Sequence, residues 1–457
     1  MLKVIDPSRG TPLHEYSTES SLSVERALKS AEDTFAEWRE TSFAERSSLL
    51  KKVARHMRDN VEALALPMTE EMGKPIKEAR GEVLKSAWCA EHYAEHAESY
   101  LSVEVIPSDA ARSYVQYLPL GPLLGILPWN APFWLAFRFC APALMAGNTC
   151  IIKHDSHVPA CSSAIAGVFH DVDAPSGLFQ NLLMTSSRIE SVIRDPRIQA
   201  VSFTGSSKAG SAVAAVAASE VKPAVLELGG SDPSVVLADA DLEKAAEVIT
   251  LSRIINTGQS CIAVKRIIVE APVHDRLVSL LKERLAALKV GDPRLESTDI
   301  GPIAREDLRH DLHRQVQETI AAGAKCLLGG ELPEGRGFFY PATLLTDVTP
   351  GMTAFREETF GPVAVVIRAE NEQHAMELAN DTPYGLAAGI WTHPSRGEAL
   401  ARKFQAGQVA VNGIVKTDPR LPSGGIKKSG YGRELGPHGI REFVNAQQVW
   451  IGPANPA

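Results

Sequence analysis

Hydrophobic positions follow two different patterns along this chain, and the change between them falls near Pro122. Over the first hundred residues apolar side chains recur every three or four positions. Leu28, Ala31, Phe35 and Trp38 form one such stripe after a serine-rich start. Leu49, Leu50, Val53, Met57, Val61 and Leu64 form another within 44–65. Each set lies on one face of a helix, so this part of the chain is expected to be helical, with its stripes turned to a core. Beyond Pro122, short apolar runs alternate with stretches long enough for crossover helices. Runs at 123–127, 149–153, 181–184, 200–204 and 224–228 predict one series of buried strands. Runs at 234–237, 265–270, 363–367, 387–391 and 408–412 predict a second, with helices over 273–288 and 308–322. This alternation is what a parallel sheet covered by helices on both faces requires.

The two series meet at Gly229-Gly230, read here as a hinge because paired glycines permit a sharp reversal. The expected fold is therefore α/β, with two doubly wound parallel-sheet domains and a cleft between them. One domain takes 1–108 and 122–229, the other 230–424. Two segments alternate like strands yet belong to neither series, at 112–118 and 443–451. The stretches containing them, 109–121 and 435–457, are expected to pair with another subunit in a homodimer or homotetramer.

Composition narrows the function classes. With 457 residues, 44% of them hydrophobic and 22% charged, the chain can bury large cores. The net charge of −8 is spread among interspersed acids and bases, and no basic tract exists to neutralise phosphates, which argues against nucleic-acid binding. The opening MLKVIDPSRG lacks the apolar core of a signal peptide, and the longest apolar runs (141–146 and 213–218) are too short to cross a membrane. The six cysteines have no CxxC spacing, which speaks against a metal site and against a disulfide framework. A reducing cytoplasm is the expected location.

Four places carry candidate chemistry. Cys261 ends Asn256-Thr257-Gly258-Gln259-Ser260-Cys261, a glycine turn able to present a thiol to a cleft, although most lone cysteines are core residues. Pro128-Trp129-Asn130 follows a buried strand, where ligands of open α/β sheets bind, and the Asn130 amide can donate to an oxyanion. Glu227 lies at the end of an apolar strand, where desolvation raises a carboxylate toward general-base range. Phe203-Thr204-Gly205-Ser206 opens a glycine-containing turn before an alanine-rich helix, and such an N-terminus can hold a pyrophosphate, though it is neither GxGxxG nor a Walker loop.

Taken in order, these blocks, together with Glu357-Glu358-Thr359-Phe360-Gly361-Pro362 and Lys427-Lys428-Ser429-Gly430, resemble the aldehyde dehydrogenase superfamily over essentially the whole chain. The resemblance implies a Rossmann-like cofactor domain (1–108 and 122–229), a catalytic domain (230–424) and small oligomerisation β-segments (109–121 and 435–457). It also implies oxidation of a small aldehyde by NAD or NADP. Cys261 attacks the carbonyl, Asn130 and the Cys261 N–H hold the oxyanion of the thiohemiacetal, and Glu227 activates water to hydrolyse the thioester. Members that transfer the acyl group to coenzyme A typically lack this glutamate. By the same matching Trp129, Lys153, Gly205, Ser206, Glu358 and Phe360 contact the cofactor, with Lys153 at the adenosine ribose and Glu358 at the nicotinamide ribose.

Within the superfamily the chain most resembles succinate-semialdehyde dehydrogenases. NAD-preferring members commonly carry a glutamate three residues after the lysine. Here Ser156 occupies that place, so NADP is expected, while Asp155 could point either way. Arg138, beside Phe133, Trp134 and Phe137, matches an arginine that binds the substrate carboxylate, and Thr417 matches a hydroxyl that assists it. Burying an arginine among aromatics without an anion is costly, which strengthens the case for an anionic substrate. A second arginine found five residues before the cysteine in some relatives is replaced by Asn256, and Ser423 stands where a phenylalanine is usual. The alternatives are an uncharged or aromatic aldehyde, with Arg138 in a helix-surface ion pair, a coenzyme-A-acylating enzyme, and a non-catalytic protein on the same fold.

Overall fold

The computed structural model describes residues 1–452. Two sheets carry the chain, and their strands follow the expected runs closely. In the first, the order is Phe179–Asn181, Thr149–His154, Pro122–Leu127, Ala200–Thr204 and Ala224–Glu227, all parallel, with Gly430–Tyr431 added antiparallel at the edge. In the second, it is Lys325–Leu328, Thr343–Thr346, Val363–Ala369, Arg266–Glu270, Pro233–Val236, Ala387–Trp391 and Gln408–Val411, parallel throughout except for its first strand. The period of two along a strand sends successive side chains to opposite layers. Leu123 and Ile152 enter one core with the helices Phe43–Asp59, Ile76–Tyr100 and Pro132–Met145, while Leu124 and Ile151 enter another with Ser21–Trp38 and Ser207–Ser219. Val235 and Val236 divide in the same way between the two cores of the second sheet. Doubly covered strands read as continuous apolar runs for this reason.

Several expectations need correction. The N-terminal region does not begin helical: Leu2–Asp6 and Thr11–Tyr16 form a hairpin. The Pro7 carbonyl accepts a hydrogen bond from Phe338 N–H (2.8 Å), which ties this hairpin to the second sheet's side of the molecule. The stripe over 44–65 belongs to two helices, Phe43–Asp59 and Val61–Met72. Asn60 breaks them with φ −118°, its amide donating back to the His56 carbonyl at 2.9 Å. The strand expected at 181–184 lies at Phe179–Asn181. Strands Lys325–Leu328 and Thr343–Thr346, four residues each, were not foreseen.

The two stray segments pair with each other. Arg112–Pro119 runs antiparallel to Val444–Ile451 from Arg112↔Ile451 to Pro119↔Val444, with Glu104–Val105 on the far side. Of the stretch 435–457, residues 453–457 lie outside the described residues.

Gly229-Gly230 is not a hinge of left-handed glycines, since neither has a positive φ. What glycine provides there is room. A Cβ on Gly229 would stand 2.4 Å from Glu358 Oε2, and one on Gly230 would stand 3.0 Å from the Cys261 carbonyl.

Candidate active site

The loop before Cys261 is built against its own preferences. Helix Leu242–Ile254 stops, and Asn256, Thr257 and Gly258 all take positive φ (55°, 59° and 76°). Each non-glycine in that region costs roughly 1–2 kcal/mol, and a β-branched threonine is the least suited. Long-range contacts impose the shape. The fully buried Arg253 donates to the carbonyls of Gly258 (2.6 Å) and Val264 (2.7 Å). Asn256 N–H donates to Glu78 Oε2 (2.6 Å), and Gln259 Oε1 accepts from Ala304 N–H (2.9 Å). Gly258 passes so close to Gly361 that a Cβ would stand 2.3 Å from its carbonyl oxygen. Lys265, fully buried, donates to the carbonyls of Ser260 (2.7 Å) and Cys261 and pairs with Glu358 at 3.2 Å.

Asn130 meets this loop from the carboxyl end of Pro122–Leu127. Its carbonyl accepts from Lys74 Nζ (2.9 Å) and Asn256 Nδ2 (2.7 Å), and its own Nδ2 donates to the Gln259 carbonyl at 3.1 Å. One amide hydrogen of Asn130 is left over, and the Cys261 N–H has no acceptor among the described residues. The following helix, Pro132–Met145, is fixed by Glu82, whose Oε1 accepts from Phe133 and Trp134 N–H (2.9 and 3.2 Å) while its other oxygen pairs with Lys74.

Glu227 ends its strand 3% exposed, and its Oε1 has no hydrogen-bond partner. A Cβ on Gly424 would lie 2.8 Å from that oxygen, so glycine is needed beside it. Burial raises the Glu227 carboxyl above its ordinary range, Arg138 opposes the shift, and the charge of Glu434 adds to it. Burial likewise pushes the Cys261 thiol up to about 11, against the pull of Lys265 and Arg138, with Glu358 and Glu227 adding to the rise. The charges of these four residues act on the one sulfur, so Cys261, Glu227, Glu358 and Arg138 share a site.

Arg138 is neither at the surface nor without a protein anion. It is 4% exposed, its Nε donates to Glu434, and its Nη2 lies 3.4 Å from Glu227 Oε2. Glu434 also accepts from Ser202 Oγ at 3.2 Å. This corrects the burial argument. Two protein carboxylates compensate the guanidinium, so its burial does not by itself require an anionic substrate. Nη2 nevertheless donates to no group. Thr417, also buried, accepts a hydrogen bond from Lys85 Nζ at 2.7 Å. Ser423 is turned inward, its hydroxyl accepting from Gln408 Nε2 (3.3 Å) and its backbone paired with Glu434.

The other expected cofactor residues lie around the carboxyl ends of the first sheet. Lys153, next to last in Thr149–His154, is buried, its ammonium donating to Ser186 Oγ (3.2 Å), with no carboxylate within 4 Å among the described residues. Asp155 does not point at it in a hydrogen bond: Oδ1 is taken by the backbone N–H (3.0 Å) and Nδ1 (2.7 Å) of His157. Ser156 stands half-buried beside it. Ser206 caps helix Ser207–Ser219 by accepting from Ala209 N–H at 3.3 Å, and Gly205 N–H donates to the Glu227 carbonyl at 3.0 Å, joining this turn to the end of strand Ala224–Glu227. Trp129 and Phe360 meet edge to face, centroids 5.9 Å apart. Glu358 is held by Lys265 and by Gly230 N–H (3.2 Å). A buried cation free of carboxylates and a capped helix N-terminus are features able to receive phosphate groups.

Sequence reasoning missed Lys265, Glu434, Arg253, Lys74, Glu82, Ser186 and Lys85. Glu434 follows Gly432-Arg433 with nothing local to mark it, and Lys265 is one more cation at a strand start. Among the described residues no cluster of histidine, cysteine and carboxylate side chains could hold a metal, and no helix is long and apolar enough to cross a membrane.

Comparison with known proteins agrees with this geometry. Residues 1–449 match the model of the aldehyde dehydrogenase family. A probable succinate-semialdehyde dehydrogenase [NADP(+)] of Synechocystis sp. is 48% identical, over 98% of this chain and 99% of that protein. Succinate-semialdehyde dehydrogenase [NADP(+)] 1 of Mycobacterium tuberculosis is 45% identical, with the same coverage of each chain. The crystal structure of succinic semialdehyde dehydrogenase from Streptococcus pyogenes in complex with NADP+ superposes with a TM-score of 0.97 at 32% identity, covering 99% of this chain and 100% of that one. The strained thiol loop, the buried Glu227 carboxylate and the full-length match lead to one conclusion: this chain belongs to the aldehyde dehydrogenase family.

Proposed function

We propose that this enzyme oxidises succinate semialdehyde to succinate with NADP+, releasing the acyl group to water. The observation that carries the reading is the buried Glu227, whose free Oε1 and raised basicity sit in the electrostatic field of Cys261. The Cys261 thiol gives its proton to solvent, the thiolate sulfur bonds to the carbonyl carbon, and the electron pair of the C=O bond moves to oxygen. The spare Asn130 amide hydrogen and the Cys261 N–H receive that oxyanion, each good donor contributing ~3 kcal/mol. Trp129, Lys153, Ser156, Gly205, Ser206, Glu358 and Phe360 would hold the dinucleotide, which supplies the hydride acceptor when bound. On the resulting Cys261 thioester, Glu227 takes a proton from water as its oxygen attacks, and collapse of the adduct returns the Cys261 thiolate. A coenzyme-A-acylating enzyme has no use for such a base.

NADP+ over NAD+ rests on Lys153 without a carboxylate partner, on Ser156, and on Asp155 held in its own turn. The [NADP(+)] relatives support it. Their names also support the substrate, with Arg138 Nη2 and Thr417 as donors toward its distal carboxylate. Among the described residues the three-stranded sheet leaves Val105, Trp450 and Ile451 exposed, which suits assembly as a homo-oligomer. The six free thiols suit a reducing cytoplasm. A panel of aldehydes against NAD+ and NADP+, followed by absorbance of the reduced cofactor, tests the proposal. The highest kcat/KM is expected for succinate semialdehyde with NADP+. A preference for NAD+, or for a neutral or aromatic aldehyde, would overturn it.

A further inference from the structure

One face of helix Ile76–Tyr100 is spent on the active site. Glu78 accepts from Asn256 of the thiol loop, Glu82 fixes the start of helix Pro132–Met145, and Cys89 donates from Sγ to the Phe137 carbonyl (3.6 Å). Spacings of four, three and four residues put 78, 82, 85 and 89 on that one face. Lys85 stands in the middle of it. Its neighbours on the stripe all have fixed partners in the site, whereas its own charge has none. No carboxylate lies within 4 Å of its ammonium among the described residues. Instead Nζ stands 4.0 Å above the Trp134 ring and donates to Thr417 Oγ1 at 2.7 Å.

We propose that Lys85 is a second cation, beside Arg138, that seats the distal carboxylate of the substrate, with Thr417 as its co-donor. This rests on the proposed substrate class. A half-buried ammonium with no counter-ion is costly to keep, and a bound carboxylate removes that cost. The chemistry of the pair suits the task. Thr417 accepts from Lys85, so its own hydroxyl hydrogen is free to donate onward to an anion. Trp134 bounds the seat with an apolar wall and itself favours a cation over its face. Arg138 can offer only its free Nη2, because its Nε is committed to Glu434 and its charge is shared with Glu227. The charge of Arg138 acts on Lys85, as it does on Cys261. Burial, with Arg138, lowers the Lys85 ammonium to about 8. Glu82, Cys89 and Asp418 work in the opposite sense.

The test is the ratio of kcat/KM for succinate semialdehyde to that for butanal, which has the same four carbons and no carboxylate. Both are measured with NADP+ in the wild type and in Lys85→Met, Lys85→Gln and Lys85→Arg. The ratio is expected to fall between about ten- and a hundred-fold in K85M and K85Q, mainly through KM for the semialdehyde, as loss of one charged hydrogen bond predicts. K85R is expected to keep most of it. A wild-type ratio well above one that K85M and K85Q both retain would overturn the role of Lys85 alone. A wild-type ratio near one would instead overturn the substrate class on which it rests.

Discussion

Cys261 in the resting enzyme is a thiol, because burial outweighs the two cations that favour the thiolate. Below its raised value, about 11, the thiolate fraction grows with pH. Alkylation of the cofactor-free enzyme by iodoacetamide should therefore quicken about ten-fold per pH unit between pH 7 and 9. A plateau already reached at pH 7 would contradict the assignment. The proposed base, Glu227, has a dependence of the same sign at lower pH. As a base it works only deprotonated, so turnover falls as pH drops through its raised value. Arg138 holds that value down. Arg138→Met should move the acid limb of the kcat profile for butanal to higher pH, and an unmoved limb would remove Arg138 from the base's surroundings. These residues were partly legible in the sequence. A thiol after a glycine turn and a carboxylate in an apolar strand end are local anomalies that ask for a reason. Lys265 and Glu434 are ordinary residues whose meaning lies in partners far along the chain, Glu358 for one and Arg138 for the other.

At the level of elements, the parallel strands were readable because burial on both faces leaves a continuous apolar run. The hairpin at 2–16 was not, since its second strand has no buried position and its first offers only Leu2, Val4 and Asp6. The four-residue strands at 325–328 and 343–346 are too short for any period to show. Gly229 illustrates a different limit. Sequence presents it as a flexible joint, whereas the fold uses its missing side chain to admit the Glu358 carboxylate. Gly229→Ala should push that carboxylate aside and raise KM for NADP+, with loss of kcat/KM on the order of 10²-fold, the scale expected for a 1 Å displacement of a reacting group. Cofactor titration and steady-state kinetics check this, and a variant with wild-type constants would show that the close approach is dispensable.

For the molecule as a whole, the two large sheets turn a set of separate sequence blocks into one site. Asn130 and Glu227 come from strand ends of the first sheet, Cys261 and Glu358 from loops of the second, and Glu434 from the segment that returns to the first. No pattern within a single block reveals that convergence, although their order along the chain foretold it through family resemblance. The three-stranded sheet, with Trp450 and Ile451 exposed at its edge, is expected to give a dimer or larger species by light scattering, and a monomer at micromolar concentration would refute that use. The central claim is that Glu227 drives hydrolysis of an acyl group carried on Cys261. Pre-steady-state formation of NADPH by Glu227→Gln with succinate semialdehyde tests it most directly. The account predicts a rapid burst of one NADPH per active site followed by turnover slowed ~10²–10⁴-fold, because acylation survives and deacylation does not. Steady turnover at the wild-type rate, or uniform slowing with no burst, would contradict it.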